Sequence, residues 1–406
     1  MNPLRPIDRR QFAIGLSAMF ASASIPRGAS AAGARDSRLV VVILRGALDG
    51  LTAVAPLGDP DYFNLHQELA LRPDGDRAAL KLDGFFGLHP AMGNFGRLYQ
   101  AKQALVVHAA ATNYRERSHF DGQDVLESGQ LAPGRIDSGW LNRAVAALPK
   151  GQPAIAHGAL AVGTTAPLVM RGPAPILGWA PSGLTPPADD LVARLLDLYA
   201  HQDPALGKSL QAGLEADRMA NRSGMDALKP GGDIAAQVKK AATGAARLMA
   251  ADDGPRIGAL SIDGWDTHAA EGGGAGRLAQ GLGGLDGLFA AFESELGARW
   301  KDTVVVAVTE FGRTVHINGT AGTDHGTGTV AFLAGGAVAG GRVVADWPGL
   351  KSADLYEGRD LKPTTDLRSV LKGVLADHLG LANEALARAV FPDTAGVAPM
   401  KGLVAA

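Results

Sequence analysis

Cysteine is absent from the 406 residues of this chain, which excludes disulfides, thiolate metal sites and cysteine nucleophiles together. Net charge is nearly absent too. Lys and Arg number 39 against 41 Asp and Glu, which leaves no electrostatic footprint for nucleic acid. Two informative motifs are also missing. No Gly-x-Ser-x-Gly elbow occurs, which argues against a serine esterase of the α/β-hydrolase type. The stretch Gly272–Gly287 lacks the Gly-x-Gly-x-x-Gly order that a dinucleotide site needs after a strand. Beyond the N-terminus no run approaches the ~20 apolar residues of a spanning helix, so no membrane span is expected in the mature chain. No repeat period emerges. Aromatics are few (5 %), whereas glycine (54) and proline (23) are plentiful, a composition suited to short loops joining buried β-branched strands.

What is present begins with 46 % apolar residues, enough for a chain of this length to bury a large core. Residues 1–34 read as a targeting segment. Asp8-Arg9-Arg10-Gln11-Phe12 sets an arginine pair before a modestly apolar stretch, Ala13–Ile25, and small-residue sites close it at Ala29-Ser30-Ala31 or Ala32-Gly33-Ala34. That pattern is a twin-arginine export signal. The expectation is therefore a periplasmic or otherwise exported protein, a client of the twin-arginine machinery. Folding before transport suits a chain without disulfides and would allow a metal to be loaded first.

Residues 35–406 read as one α/β domain. Leu39–Leu44 (LVVVIL) is a continuous buried run, the pattern of a parallel strand covered on both faces. A helical stretch from His89 to Gln100 leads to a second such strand, Ala104–Ala110. Strand–helix–strand alternation of this kind predicts right-handed crossovers and a mostly parallel sheet. Residues 150–187 read as a small β excursion, with short apolar runs at Ala159–Val162 and Leu168–Met170, and 188–250 as helical. Together they form an insertion or cap around 150–250. The core resumes with strand 256–262, helix 276–298, strands 303–309 and 329–334, and a helix from about Thr365, its expected N-cap, to Leu379.

Chemistry-bearing residues gather where strands end, and in open α/β sheets ligands bind just beyond those ends. Asp263, Asp266 and His268 follow one strand, a donor mixture suited to Zn, Mn or Fe; an Asx turn with a solvated histidine is the plainer alternative. Glu310 ends another strand, with Arg313 three residues on and Asp324-His325 after a glycine-rich loop; an ion pair would account for Glu310 and Arg313 equally. Ser118 begins a helix after the second strand. Either it is an activated hydroxyl nucleophile at a helix N-terminus, or it is an N-cap. Arg115 and Arg117 beside it would add affinity for an anion. His119, Asp121 and Asp124 rank lower, and Asp49 and Arg45 follow the first strand. The remaining histidines, His66, His89, His108, His157, His201, His316 and His378, read mostly as structural.

Five motifs occur in order: Arg45-Gly46-Ala47-Leu48-Asp49-Gly50, Arg117-Ser118-His119-Phe120-Asp121, Gly264-Trp265-Asp266-Thr267-His268, Thr309-Glu310-Phe311-Gly312-Arg313-Thr314 and Gly322-Thr323-Asp324-His325-Gly326. With the leader, they resemble the exported bacterial proteins of domain of unknown function family 1501, over nearly the whole mature chain, with Ala47 standing where a second glycine is expected. That family is more distantly similar to the alkaline phosphatase and sulfatase superfamily. The resemblance implies an α/β/α sandwich with a mostly parallel sheet, and a metal site assembled from Asp49, Asp266, His268, Glu310, Asp324 and His325. This chain departs from the superfamily in having Asp-x-His in place of Asp-x-x-x-His, and Glu310-Phe311 in place of an Asp-His pair.

The function so implied is hydrolysis of phosphate or sulfate esters, dependent on a divalent metal (Zn, Mn or Fe) and directed at a small anionic ester or a glycan-type substrate. Ser118 or a metal-activated hydroxide would attack, and Arg115, Arg117 or Arg313 would hold the anion. The alternative is a non-catalytic periplasmic binding or assembly protein on a degenerate version of the same scaffold.

Overall fold

The computed structural model describes residues 36–405 other than 135, 150–157, 182–188, 205, 209, 212, 215–217 and 219–232. The leader expected over 1–34 and His157 lie outside the described residues.

Strand β1 (Arg38–Arg45) lies between β8 (Ile257–Asp263) and β9 (Thr303–Thr309), parallel to both, with Val41 opposite Ala259 and Val306. Its residues show no polar alternation because both faces are covered. Val40, Val42 and Leu44 join one core, and Leu39, Val41 and Ile43 the other. Each fully buried side chain of this size stabilises the fold by about 1.5–3 kcal/mol, so a polar substitution at any of them would penalise a core directly.

The first core is closed by α3 (Gly93–Gln100), α7 (Ile234–Ala250) and α8 (Arg277–Leu296). The second is closed by α4 (His119–Ser128), α5 (Trp140–Ala147) and α9 (Leu367–Leu379). The result is an α/β fold of three layers. Across its central sheet the order is β11 (Arg342–Val344), β5 (Ala104–Ala111), β10 (Thr329–Ala334), β9, β1, β8, β6 (Ala159–Val162) and β7 (Ile176–Trp179), and β12 (Thr365–Asp366) also pairs with β5. The pairing is parallel throughout except for β10, which runs antiparallel to both β5 and β9. A separate small antiparallel sheet joins β2 (Val54–Ala55), β4 (Gly87–Leu88) and β3 (Leu80–Lys81).

Two local expectations differ from what is found. The apolar runs of 150–187 do not form a β excursion of their own. Ala159–Val162 pairs in parallel with β8 and carries β7 beyond it, while Leu168–Met170 is a single 3-10 turn. The free edge of β8 explains this, since its backbone groups need partners and a sequence-distant strand supplies them. At α9 the N-cap is Asp366, whose carboxylate accepts from the Arg368 amide at 2.8 Å, and Thr365 sits in β12. Helix α6 (Asp189–Gln202) and α7 occupy the stretch read as helical.

This topology decides where chemistry can occur. β1, β5, β8 and β9 all deliver their carboxyl ends to one edge of the sheet, and the antiparallel β10 starts there. Residues from five widely separated segments therefore meet at a single edge.

Candidate metal centre

Helix α4 begins with His119, on the chain that leaves β5. Its Nδ1 lies 2.8 Å from Glu310 Oε1, and its ring stacks on Phe311 with centroids 5.0 Å apart. Gly122, one turn on, lets the helix come this close, because a Cβ there would stand 3.0 Å from the Phe311 ring. Glu310 is fully buried at the end of β9, where Oε1 also accepts from the Gly46 amide (2.8 Å) and Gln123 (3.1 Å), and Oε2 from the Thr309 hydroxyl (2.9 Å). Burial alone would raise the Glu310 carboxyl, but its bonds from His119, Gln123 and Gly46 outweigh this and hold it below the usual range.

Two more imidazoles are anchored in the same way. His325 Nδ1 faces the Arg117 carbonyl oxygen at 2.8 Å, and His268 Nδ1 faces Asp324 Oδ1 at 3.2 Å. Carbonyls and carboxylates only accept, so each of the three rings must carry its proton on Nδ1. In a neutral ring the lone pair then lies on Nε2, and His325 Nε2 faces the Nε2 atoms of both other rings. His325 Nε2 stands 2.9 Å from His119 Nε2 and 2.9 Å from His268 Nε2. Asp266 Oδ1 lies 3.4, 3.1 and 3.4 Å from the Nε2 atoms of His119, His268 and His325.

Opposed lone pairs at these distances repel unless a positive charge sits between them. A proton can serve one pair but not three nitrogens and an oxygen together, whereas a divalent cation can. Among the described residues, ligand atoms of His119, Asp266 and His325 lie within 4.8 Å of one another, and His268 Nε2 stands beside two of them, 2.9 Å from His325 Nε2 and 3.1 Å from Asp266 Oδ1. Zinc–nitrogen bonds of ~2.0–2.1 Å would set neighbouring nitrogens roughly 3.3 Å apart, so the His119–His325 pair need shift only by a few tenths of an ångström. A donor set of imidazoles and a carboxylate could hold a metal ion. Glu310, Asp324 and the Arg117 carbonyl are the outer partners that orient such ligands.

The electrostatics differ among the three. The hydrogen bond to Glu310 holds His119 above the ordinary histidine value, against its partial burial. His325 is lowered, first by burial and then by its positive neighbours His119 and Arg313. For Asp266, burial is outweighed by the hydrogen bond and charge of Arg313, which hold the carboxyl down and keep it anionic.

The residues singled out from sequence thus separate by role. Asp266, His268 and His325 converge, together with His119. Glu310 and Asp324 act one layer out, and Asp324, fixed by Asn318 and His268, is an orienter of His268. Arg313 is buried and committed, with Nη1 2.7 Å from Asp266 Oδ1 and Nε 3.1 Å from Thr323 Oγ1, so it positions a ligand and has no free face for an anion. Arg117 is tied to Asp360 at 2.9 Å and to Glu357, and contributes its carbonyl to the site. Arg115 turns onto the Thr112 and Tyr114 carbonyls. Ser118 occupies the N-cap position of α4 without capping it, and its amide donates to the Tyr114 phenol oxygen at 3.3 Å. Arg45 bonds Glu127 at 2.6 Å, Asp121 receives Tyr114, Asp124 receives the Gly134 amide, and Asp263 is exposed.

Asp49 stands apart from these four. It is buried, caps α1 (Gly50–Ala53) through the Leu51 amide at 2.9 Å, and lies 3.1 Å from His66 Nε2. Its other neighbour is Glu271, fully buried, which accepts from Thr323 Oγ1 at 2.7 Å through Oε2 and finds no donor for Oε1. Two buried carboxylates this close disfavour each other's charge, and a proton on Glu271 would relieve both. Burial and the Asp49 charge raise Glu271 well above the carboxylate range, while His66 outweighs burial and holds Asp49 below it. Asp49 is thus committed to a buried structural network and is unavailable as a ligand.

Sequence reading ranked His119 low and missed Glu271, Gln123, Asn318 and the half-exposed Arg359, whose Nη2 donates to the His325 carbonyl at 2.8 Å. For His119 a signal existed, since it lies at a helix start just beyond a strand end. The other structural histidines behave as read: His108 is buried against the Val54 carbonyl and pushed down to about 4 by burial, and His378 bonds the Arg38 carbonyl.

No curated protein matches the chain. A solved structure titled as Ps i-CgsB in complex with k-i-k-neocarrahexaose is similar at 11 % identity and a TM-score of 0.43, over 90 % of this chain and 75 % of that one; likeness at that level carries no inference about chemistry. The sequence model of the family described as Protein of unknown function (DUF1501) matches residues 36–390.

Proposed function

Because the chain belongs to the DUF1501 family, whose function is not known, we propose a function from the site itself: an exported metal-dependent hydrolase of phosphate or sulfate esters. The observation that carries this reading is the convergence of His119, His268, His325 and Asp266, with every Nδ1 already spoken for. These four residues would hold the ion, which would supply electrophilic stabilisation of negative charge developing on an ester oxygen. Arg313 keeps Asp266 anionic, and Glu310 and Asp324 fix the ring orientations. Arg359, at the site's rim, is the cation best placed to meet an incoming anion. Ser118 lies one residue from a ligand at the start of α4, where unpaired amides and the helix dipole favour an anionic oxygen. It is the protein's own nucleophile in this reading. Small anionic esters and sulfated or phosphorylated glycans are the substrates to examine. The twin-arginine leader would place the reaction outside the cytoplasm.

The test is elemental analysis of the exported protein purified without chelator, beside His119→Ala and His325→Ala. About one Zn, Mn or Fe per chain, lost in both variants, is the expected result. Ester turnover by the wild type, abolished in Ser118→Ala with metal retained, would assign the nucleophile. A wild type that stays metal-free after addition of all three metals, with no turnover, would leave a binding protein on this scaffold.

A further inference from the structure

On the far side of β8 from β1, a cleft of about 470 Å³ opens at the same edge of the sheet. Volumes of this order hold small organic ligands. β8 contributes Leu260 and Ile262, α7 contributes Val238 and Ala241, and the chain after β7 contributes Ala180 and Pro181. The lining is thus largely apolar. The exposed pair Asp263-Gly264 also lines it, and Gly264 takes φ +101°. Three residues later comes Asp266, the carboxylate of the metal centre. Three residues of chain span at most about 11 Å, which bounds the distance from the Asp263 end of the cleft to the Asp266 backbone.

Charge selects what such a ligand is. Asp263 stands exposed at the junction and disfavours a second anion inside the cleft, while Lys240 on α7 is already partnered. The acidic head must then sit at the metal centre and the remainder must be uncharged. We infer that the cleft is the subsite for the alcohol portion of the substrate, which is accordingly a monoester of an apolar alkyl or aryl alcohol. This inference rests on the proposed reaction for its meaning, though not for its test.

The probe is the series of straight-chain alkylphosphonates from methyl to octyl, which cannot be hydrolysed, titrated calorimetrically into zinc-supplemented protein. Each methylene buried in the cleft should tighten binding about fourfold, from ~0.8 kcal/mol per methylene, until the cleft is full. Ala241→Trp, at a half-buried position of α7, should flatten that gain while methylphosphonate affinity and zinc content stay as in the wild type. If the tryptophan prevents folding, Val238→Gln should reduce the gain in its place. Affinity independent of chain length in the wild type, no binding at any length, or the same gain in both proteins would overturn the inference. A chain-length gain without turnover of any ester would retire the hydrolase and keep the cleft; turnover without the gain would do the reverse.

Discussion

Glu271 and Asp49 show how one proton can matter far from any chemistry. Glu271 is raised in the folded protein by burial and by the Asp49 charge, so its contribution to stability is complete below the ordinary glutamate value and drains away as pH rises through the folded one. Glu271→Gln keeps a donor toward Asp49 and has nothing to lose. Urea unfolding followed from pH 5 to 9 should therefore show the wild type losing stability relative to the variant as pH rises; parallel curves would mean that the two carboxyls do not share a proton. Glu310 and Asp49 have the opposite sign. Both are depressed in the fold, so their contribution is present above the usual carboxylate range and is lost as acid carries the pH through their folded values. At this scale the sequence was least legible. His119, ranked low from sequence, is the same residue type as His108, and only their neighbours separate a ligand from a core histidine.

The loops after β1 and β8 have to touch for the centre to exist. Gly46 makes this possible: it adopts φ +120°, and a Cβ there would lie 2.5 Å from the Asp266 amide nitrogen. Gly46→Ala should cost about 1–3 kcal/mol in backbone strain and push the Asp266 turn outward. Metal titration of the folded variant should show weakened binding; unchanged metal affinity would mean that the loop position is held by Arg313 alone. Elements were the most legible scale. The runs at 303–309 and 329–334 are strands with the bounds read from sequence, because β-branched continuity reports two-sided burial directly. The short strand at Ala159–Val162 was recognisable as an apolar run but not as a member of the central sheet, since only β8's free edge supplies its partner, and Ile176–Trp179, which pairs beyond it, was not singled out.

For the molecule as a whole, an ion that binds only the folded state must raise its stability, by about 2.7 kcal/mol when free metal is a hundredfold above Kd. Thermal melts of chelated and zinc-reconstituted protein should differ accordingly in the wild type and coincide in His325→Ala. A shift that persists in the variant would place the ion elsewhere. The family resemblance implied the three-layer sandwich; sequence by itself determined the mostly parallel character of the sheet and the edge at which polar residues collect. These follow from apolar periodicity and from where strands stop. Tertiary structure alone decided which of those residues form one site. β10 returns antiparallel and delivers His325 beside a helix that begins at His119, more than two hundred residues earlier in the chain. Asp49, at an equally suitable strand end, is instead drawn beneath the edge by His66 and Glu271. Spacing along a loop does not encode where a side chain points; that is set by the neighbours that satisfy its buried polar atoms.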